Sequence, residues 1–332
     1  MTRNPWNELY RSCRLCPRDC GVDRLEGETG FCGETAEIRL AWAGLHRGEE
    51  PPVSGTGGSG TLFFSGCTLG CVFCQNRQLS RGLAGRTVSP EELTEIFLEL
   101  ERQGAENLNL VTGTHFLPGI LQALEEGRRR GLALPVVWNS SGYEKPESLA
   151  LLAPEVALWL PDLKTLDETL ARRMFAAADY PRHAAGAIRW MQSAGASGLP
   201  LDPEDPEESG RVGMIVRHLV LPGELSSTGK VLEWYRDFAL PGTVLSVMTQ
   251  YTPVAGADPG APDRFLRDQE AESVYEMLEE LDIQEGFFQG LPGESSGGEP
   301  GDWEPDFSRR EPFPGDFARG IWFWKDSREE NP

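Results

Sequence analysis

Cys67, Cys71 and Cys74 stand in a C-x3-C-x2-C array inside the stretch Gly-Cys-Thr-Leu-Gly-Cys-Val-Phe-Cys-Gln-Asn, residues 66–76. Three soft thiolates on one loop are a ligand set for iron. A four-iron cluster is usually held by four cysteines, so a three-cysteine loop leaves one iron open unless a distant residue supplies the last ligand. An open position on a metal is where substrate or cofactor binds, by the logic that separates catalytic from structural zinc sites. Gly66 and Gly70 let the backbone curl around such a centre, and amides turned inward hydrogen-bond its sulfurs. The competing reading, three buried reduced thiols, requires this spacing to coincide with an apolar run, Thr61–Ser65, and a Gly-rich loop.

The array, with aromatic Phe73 before its last cysteine, resembles the signature of radical S-adenosylmethionine (SAM) enzymes. Cys74-Gln75-Asn76 resembles the subgroup that contains the pyruvate formate-lyase activating enzymes. The resemblance implies a [4Fe–4S] cluster on Cys67, Cys71 and Cys74, with SAM chelating the fourth iron. Phe73 and Asn76 would lie near the cofactor, and one electron would cleave SAM to a 5′-deoxyadenosyl radical. It also implies a flavodoxin- or ferredoxin-like electron donor. A protein substrate that receives a glycyl radical is the expected partner; radical modification of a small molecule or peptide, and an Fe–S electron-transfer or scaffold role without catalysis, stay open.

A second group, Cys13, Cys16, Cys20 and Cys32, lies in a Gly- and charge-rich segment with little periodicity. Such a segment buries too little apolar surface to order itself, so a four-thiolate site is a natural staple. Zn²⁺ and a second, closed Fe–S cluster fit it equally. The run Cys-Pro-Arg-Asp-Cys-Gly followed by Gly30-Phe-Cys-Gly33 also resembles the N-terminal region of activating-enzyme-like proteins.

The elements that must position these groups alternate strand and helix. Strands are expected at 61–65, 107–111, 135–138, 157–160, 213–219 and 244–248. Helices follow around 89–100, 120–130, 146–152, 166–177 with 182–193, 227–238 and 268–281. The first has Ser89 as N-cap, Pro90 at N1 and Glu92 completing a capping box. Six βα units in series mean a parallel sheet, too few for a closed eight-stranded barrel; the resemblance implies a partial (β/α)6 barrel. The expected organisation is 1–36 as a metal-binding segment, 37–60 as a linker with a possible strand at 37–43, 61–282 as the barrel, and 283–332 as an extension.

In such a sheet all strand C-termini lie at one end, so the residues just past each strand should meet over the cysteine loop. Gly113 and Thr114, within Thr112–His115, occupy the place where the family commonly carries a Gly-Gly-Glu stretch for the SAM amino group; the acidic residue is missing here. His115 is expected either to face substrate or to cap the next helix. Asn139, Ser140 and Ser141 suit ribose hydroxyls or the SAM carboxylate. Asp162 and Lys164 share a face and pair, in the barrel mouth or on the surface. Of Arg217 and His218 one must point inward, and His218 is expected to; with Lys164 and Asp162 it completes the candidate catalytic set. Gln250 and Tyr251 close the ring.

The net charge of −21 over 332 residues argues against nucleic acid or an anionic membrane as the main partner, since both are bound through clustered Lys and Arg. No apolar run approaches the ~20 residues that span a bilayer, and no signal-peptide core follows Met1. A cytoplasmic location is therefore expected, where disulfides are rare and an odd cysteine count points to metal ligands. From Ile283 the chain turns to Gly, Pro and acid punctuated by Phe287, Phe288, Trp303, Phe307, Phe313, Phe317 and Ile321–Trp324. Disordered tails carry few aromatics. These rings are expected to dock on the barrel or over its mouth.

Overall fold

The computed structural model describes residues 5–238, 242–254, 259–289, 304–313 and 315–326. In chain order the elements are β1 (Ile38–His46), α1 (Pro51–Ser54), β2 (Ser59–Phe64), α2 (Arg77–Ser80), β3 (Arg86–Val88), α3 (Pro90–Arg102), β4 (Leu108–Val111), α4 (Leu117–Arg129), β5 (Val136–Ser140) and α5 (Pro146–Leu152). Then come β6 (Val156–Pro161), α6 (Glu168–Phe175), α7 (Tyr180–Ala194), β7 (Leu199–Pro200), β8 (Arg211–Val212), β9 (Met214–Leu219), α8 (Leu225–Phe238), β10 (Thr243–Met248), α9 (Asp268–Glu280), β11 (Gly286–Gln289) and β12 (Ala318–Phe323).

The main sheet runs β11-β10-β9-β6-β5-β4-β2-β1-β12, with β3 also on β1. Every pairing from β2 to β11 is parallel. The six expected strands are there, and β11 adds a seventh on the far edge. The possible strand at 37–43, within the segment read as a linker, is β1, which lies antiparallel between β2 and β12. After α7, residues 201–210, rich in Asp and Glu, link β7 to β8, a two-stranded pair of its own.

The α3 start follows the sequence signal in part. Ser89 accepts a hydrogen bond from the Glu92 amide at 3.1 Å, but the Glu92 carboxylate pairs with Arg86 at 2.6 Å instead of returning to the cap. Leu93, Ile96, Phe97 and Leu100 are buried and join Leu62, Phe64, Leu108, Leu110, Val136 and Trp138 in the core between sheet and helices.

The opposite face of the sheet is covered in part by the one-turn helix α1. Val53 of α1 packs on Val137, Leu158, Leu160 and Ile215. Glu49 accepts from Asn109 of β4 at 3.1 Å and from Arg217 of β9, strands that lie three apart, ~14 Å along a flat sheet. That bridge fits a sheet curled about this face as an open partial barrel.

The extension contributes core. β12 extends the sheet beyond β1, Phe307 is fully buried 5.0 Å from the Phe63 ring, and Phe313 packs on Trp42 and Phe63. Trp303 lies outside the described residues. Among the described residues no helix is long and apolar enough to cross a membrane.

Candidate functional site

The cysteine loop leaves the C-terminal end of β2, and the turns after the neighbouring parallel strands surround it. Gly66 and Gly70 adopt φ of 77° and 69°, a region that costs other residues strain. The Leu69 and Gly70 amides donate to Cys67 Sγ at 3.3 and 3.5 Å. Val72 N donates to the Met174 carbonyl at 3.0 Å, tying the loop to α6. Phe73 is buried, edge-on to Phe175 and Tyr251 at 6.0 and 6.1 Å, so Tyr251 seals this side of the mouth.

Among the described residues no three ligand side chains are already closed on a common metal position. The donor set nonetheless fits an iron–sulfur cluster: three thiols on one loop, glycine at both bends, and two amides aimed at one sulfur. Burial pushes the Cys71 and Cys74 thiols above their ordinary range, with the Lys164 ammonium pulling the other way; metal binding requires the thiolates and would release those protons.

Asp162 and Lys164 form the expected ion pair, Nζ to Oδ2 at 2.6 Å, with side chains mostly buried. Burial disfavours the ammonium, but the Asp162 carboxylate holds the lysine cationic, close enough to the Cys71 thiol for the two to act on each other. The pair therefore stands beside the cysteine loop, in the mouth rather than on the surface.

Arg217 and His218 reverse the expectation. The His218 ring lies between sheet and helices, Nδ1 2.8 Å from the Leu163 carbonyl and Nε2 3.0 Å from Thr228 Oγ1. Burial drops its pKa to about 4. Arg217 is the inward residue, clamped by Glu49 and Glu50. Burial pushes Glu50 up, but Arg217's charge and hydrogen bonds, with help from Ser246, leave it below the usual range.

The same alternation splits the β5 end. Asn139 shares the face of Val137 and looks into the mouth, while Ser140 turns to the helix layer and donates to Glu144 Oε2 at 2.7 Å. Glu144 Oε1 also accepts from Thr114 Oγ1 at 2.8 Å and Trp138 Nε1 at 2.9 Å; burial raises its pKa despite those three bonds. Thr114 and Ser140 thus serve a buried carboxylate, Glu144, which lies past the strand in a turn where the sequence carries no sign of its burial. A Cβ on Gly113 would meet Ile120 at 2.7 Å, so that glycine serves packing. Ser141 is nearly buried, its carbonyl 3.0 Å from the Tyr180 hydroxyl.

His115 neither faces the mouth nor caps a helix. Its Nε2 donates to the Ser65 carbonyl at 2.7 Å under the cysteine loop, and burial lowers its pKa to about 3. Thr112 has φ of 54°, strained for a β-branched residue by ~1–3 kcal/mol. It lines a cleft of about 60 Å³ with Cys67, Cys74, Asn76, Ser80 and Val111. A much larger cleft among the described residues, about 1280 Å³, lies elsewhere, between the N-terminal segment and the starts of α3 and α4, and contains none of these groups.

In the N-terminal segment Cys13 is buried and Cys16, Cys20 and Cys32 are partly so, all four as free thiols. They are close enough to act on one another: burial chiefly, with Cys13, Cys32 and Cys20 adding to it, pushes Cys16 up to about 12.

Residues 61–209 match the family described as the radical SAM superfamily. An uncharacterized protein of Methanocaldococcus jannaschii is 29% identical over 284 residues, 83% of this chain and 76% of that protein. A radical SAM methyltransferase from Sphaerobacter thermophilus superposes at TM-score 0.43, 14% identical, over 70% of this chain and 66% of that one. SuiB from Streptococcus suis, solved bound to S-adenosylmethionine, gives TM-score 0.44 at 13% identity over 68% and 45%. A domain of pyruvate-formate lyase-activating enzyme from Bacteroides vulgatus gives 0.32 at 12% over 61% and 91%. The chain spans less than two thirds of the first two solved structures, and likeness at this level says nothing of substrate.

Proposed function

We propose that this protein is a radical SAM enzyme that abstracts a hydrogen atom, and that its substrate is a backbone glycine of a protein partner. The observation that carries the first part is the three-thiol loop at the C-terminal end of a parallel strand, with two amides on Cys67 Sγ. The second rests on the resemblance of Cys74-Gln75-Asn76 to the activating-enzyme subgroup. When bound, the cluster supplies the electron that cleaves SAM to a 5′-deoxyadenosyl radical.

The chain's own residues would do the rest. Cys67, Cys71 and Cys74 would hold three irons and leave the fourth to SAM. Asn139 and the backbone of the strained Thr112 turn offer polar groups to the SAM head and ribose, while Lys164, held charged by Asp162, sets a fixed positive charge beside the loop. Phe73, Phe175 and Tyr251 keep water from one side, which protects a reactive radical. An external flavodoxin- or ferredoxin-like donor would supply the electron. The Zn²⁺ or Fe–S site on Cys13, Cys16, Cys20 and Cys32 would be structural, since four protein ligands leave no open position.

Anaerobic reconstitution, then reduction with SAM, tests the chemistry: 5′-deoxyadenosine is expected, and a fully loaded cluster that releases none overturns the proposal. Incubating the reduced protein and SAM with co-purifying partners tests the substrate, through a glycyl radical signal in electron paramagnetic resonance. Product formed only with a small molecule or peptide would replace the protein substrate.

A further inference from the structure

Arg18 stands midway between Cys16 and Cys20, yet its guanidinium donates to carbonyls outside the four-cysteine segment. Nε and Nη2 donate to the carbonyls of Thr68 and Leu69 at 3.0 and 3.2 Å. Nη1 and Nη2 also donate to the carbonyls of Ala176 and Phe175, at 2.8 and 2.9 Å, where α6 ends. A peptide unit is planar and rigid, so the Thr68 carbonyl turns with the Leu69 N–H, and the Leu69 carbonyl with the Gly70 N–H. Those are the two N–H groups aimed at Cys67 Sγ. One side chain therefore grips, from behind, both peptide units that face the sulfur.

We propose that Arg18 is a positioning residue for the cysteine loop: it fixes the two amides on Cys67 Sγ, sets through them the redox potential of the cluster held there, and passes to the loop the order of the four-cysteine segment. Amide hydrogens pointed at a ligand sulfur stabilise the extra negative charge of the reduced cluster and raise its potential.

The segment's cysteines surround the support of this one side chain. The Phe31 ring lies 3.5 Å from the guanidinium carbon, and the Phe31 amide donates to Cys20 Sγ at 3.4 Å. Phe31 is followed directly by Cys32. The contact with the loop leaves no gap: a Cβ on Gly66 would fall 2.8 Å from the Cys32 carbonyl, and one on Gly70 3.4 Å from Phe31. Metal bound by the four thiols would lock both ends of the turn that carries Arg18.

The effect on potential rests on the proposed cluster; the effect on the loop does not, so the two fail separately. In the full-length protein before cluster loading, hydrogen exchange at Leu69 and Gly70 is expected to rise about tenfold or more in Arg18→Gln, with β4 and β5 amides unchanged. Cys20→Ser should loosen the same amides, and the double variant should go no further than Arg18→Gln alone, because both act through one contact. In the reconstituted protein, Arg18→Gln should shift the cluster midpoint to more negative potential. If Arg18→Gln does not fold, Arg18→Lys, which keeps the charge but loses the fork, reads the same quantities. Unchanged exchange at Leu69 and Gly70, additive effects of the two substitutions, or a loaded cluster whose potential stays level or rises would overturn the proposal.

Discussion

The two cysteine groups touch, yet they are built in opposite ways. Cys67, Cys71 and Cys74 hang from β2, which is paired on both sides within the sheet, and the loop is tied to α6 and walled by Phe175 and Tyr251. The segment from Cys13 to Cys32 contains no strand and only one short 3-10 turn, Arg24–Glu26, between its cysteines. It is tied to its surroundings by its own Arg18, and by Arg24, which donates to the Glu34 carbonyl at 3.2 Å and lies over the Tyr10 ring. A loop on a sheet keeps its shape without its metal. A segment without a core depends on ligand and neighbours, and the difference accords with the proposed chemistry in the first group and the proposed support in the second.

The largest expected effect is on the first group. Cys71→Ala should remove a ligand from a scaffold that does not need it: iron binding and SAM cleavage fall to background, while circular dichroism and thermal unfolding stay close to the parent. A Cys71→Ala protein that cleaves SAM at the parent rate would erase the distinction.

The sheet edge beside the loop is the next place to press. Phe307 is fully buried against Phe63, so Phe307→Ala should cost ~3–5 kcal/mol in denaturant unfolding. A cost below about 1 kcal/mol would return the extension to the role of a movable cover.

His218 tests the helix layer behind the mouth. Its pKa is lowered by burial to about 4 in the fold, against about 6.5 unfolded. A lowered pKa means the unfolded chain binds the proton first, so this stability is complete above pH 6.5 and is lost as pH falls toward 4, a total of about 3 kcal/mol. His115, lowered to about 3 by burial, adds a slope of the same sign. His218→Gln should flatten the profile across that window; an unchanged slope would put the ring in water and restore it as a candidate for the mouth.

The smallest expected effect is on global stability in the N-terminal segment. Cys20→Ser should change the global unfolding free energy by less than ~1 kcal/mol, while the segment opens locally and is cleaved sooner by protease.

Strand order and helix limits were legible because apolar spacing switches between two periods along the chain, and most ends fall within two or three residues of the reading. Phase was not legible where neighbours are both polar. Arg217-His218 and Asn139-Ser140 give no apolar residue to fix which points inward, and that was decided by partners far away in sequence, Glu49 with Glu50 and Glu144 respectively. Glu49-Glu50-Pro51-Pro52 read as solvated linker because acid and proline look alike whether they face water or a buried arginine. The cysteine loop was legible from spacing alone. Arg18 was not, since nothing in Cys-Pro-Arg-Asp-Cys says that the side chain crosses to another loop.

On the proposed reading, chemistry resides in the loop after β2 and support in the N-terminal segment. The most direct test is 5′-deoxyadenosine released per reconstituted loop cluster under a strong chemical reductant, compared between the parent, Cys71→Ala, and a variant with Cys13, Cys16, Cys20 and Cys32 all changed to Ser. Release is expected in the parent and in the Ser variant once normalised to loaded cluster, and none in Cys71→Ala. Release that survives in Cys71→Ala, or that disappears in a Ser variant whose loop cluster is intact, would contradict the account.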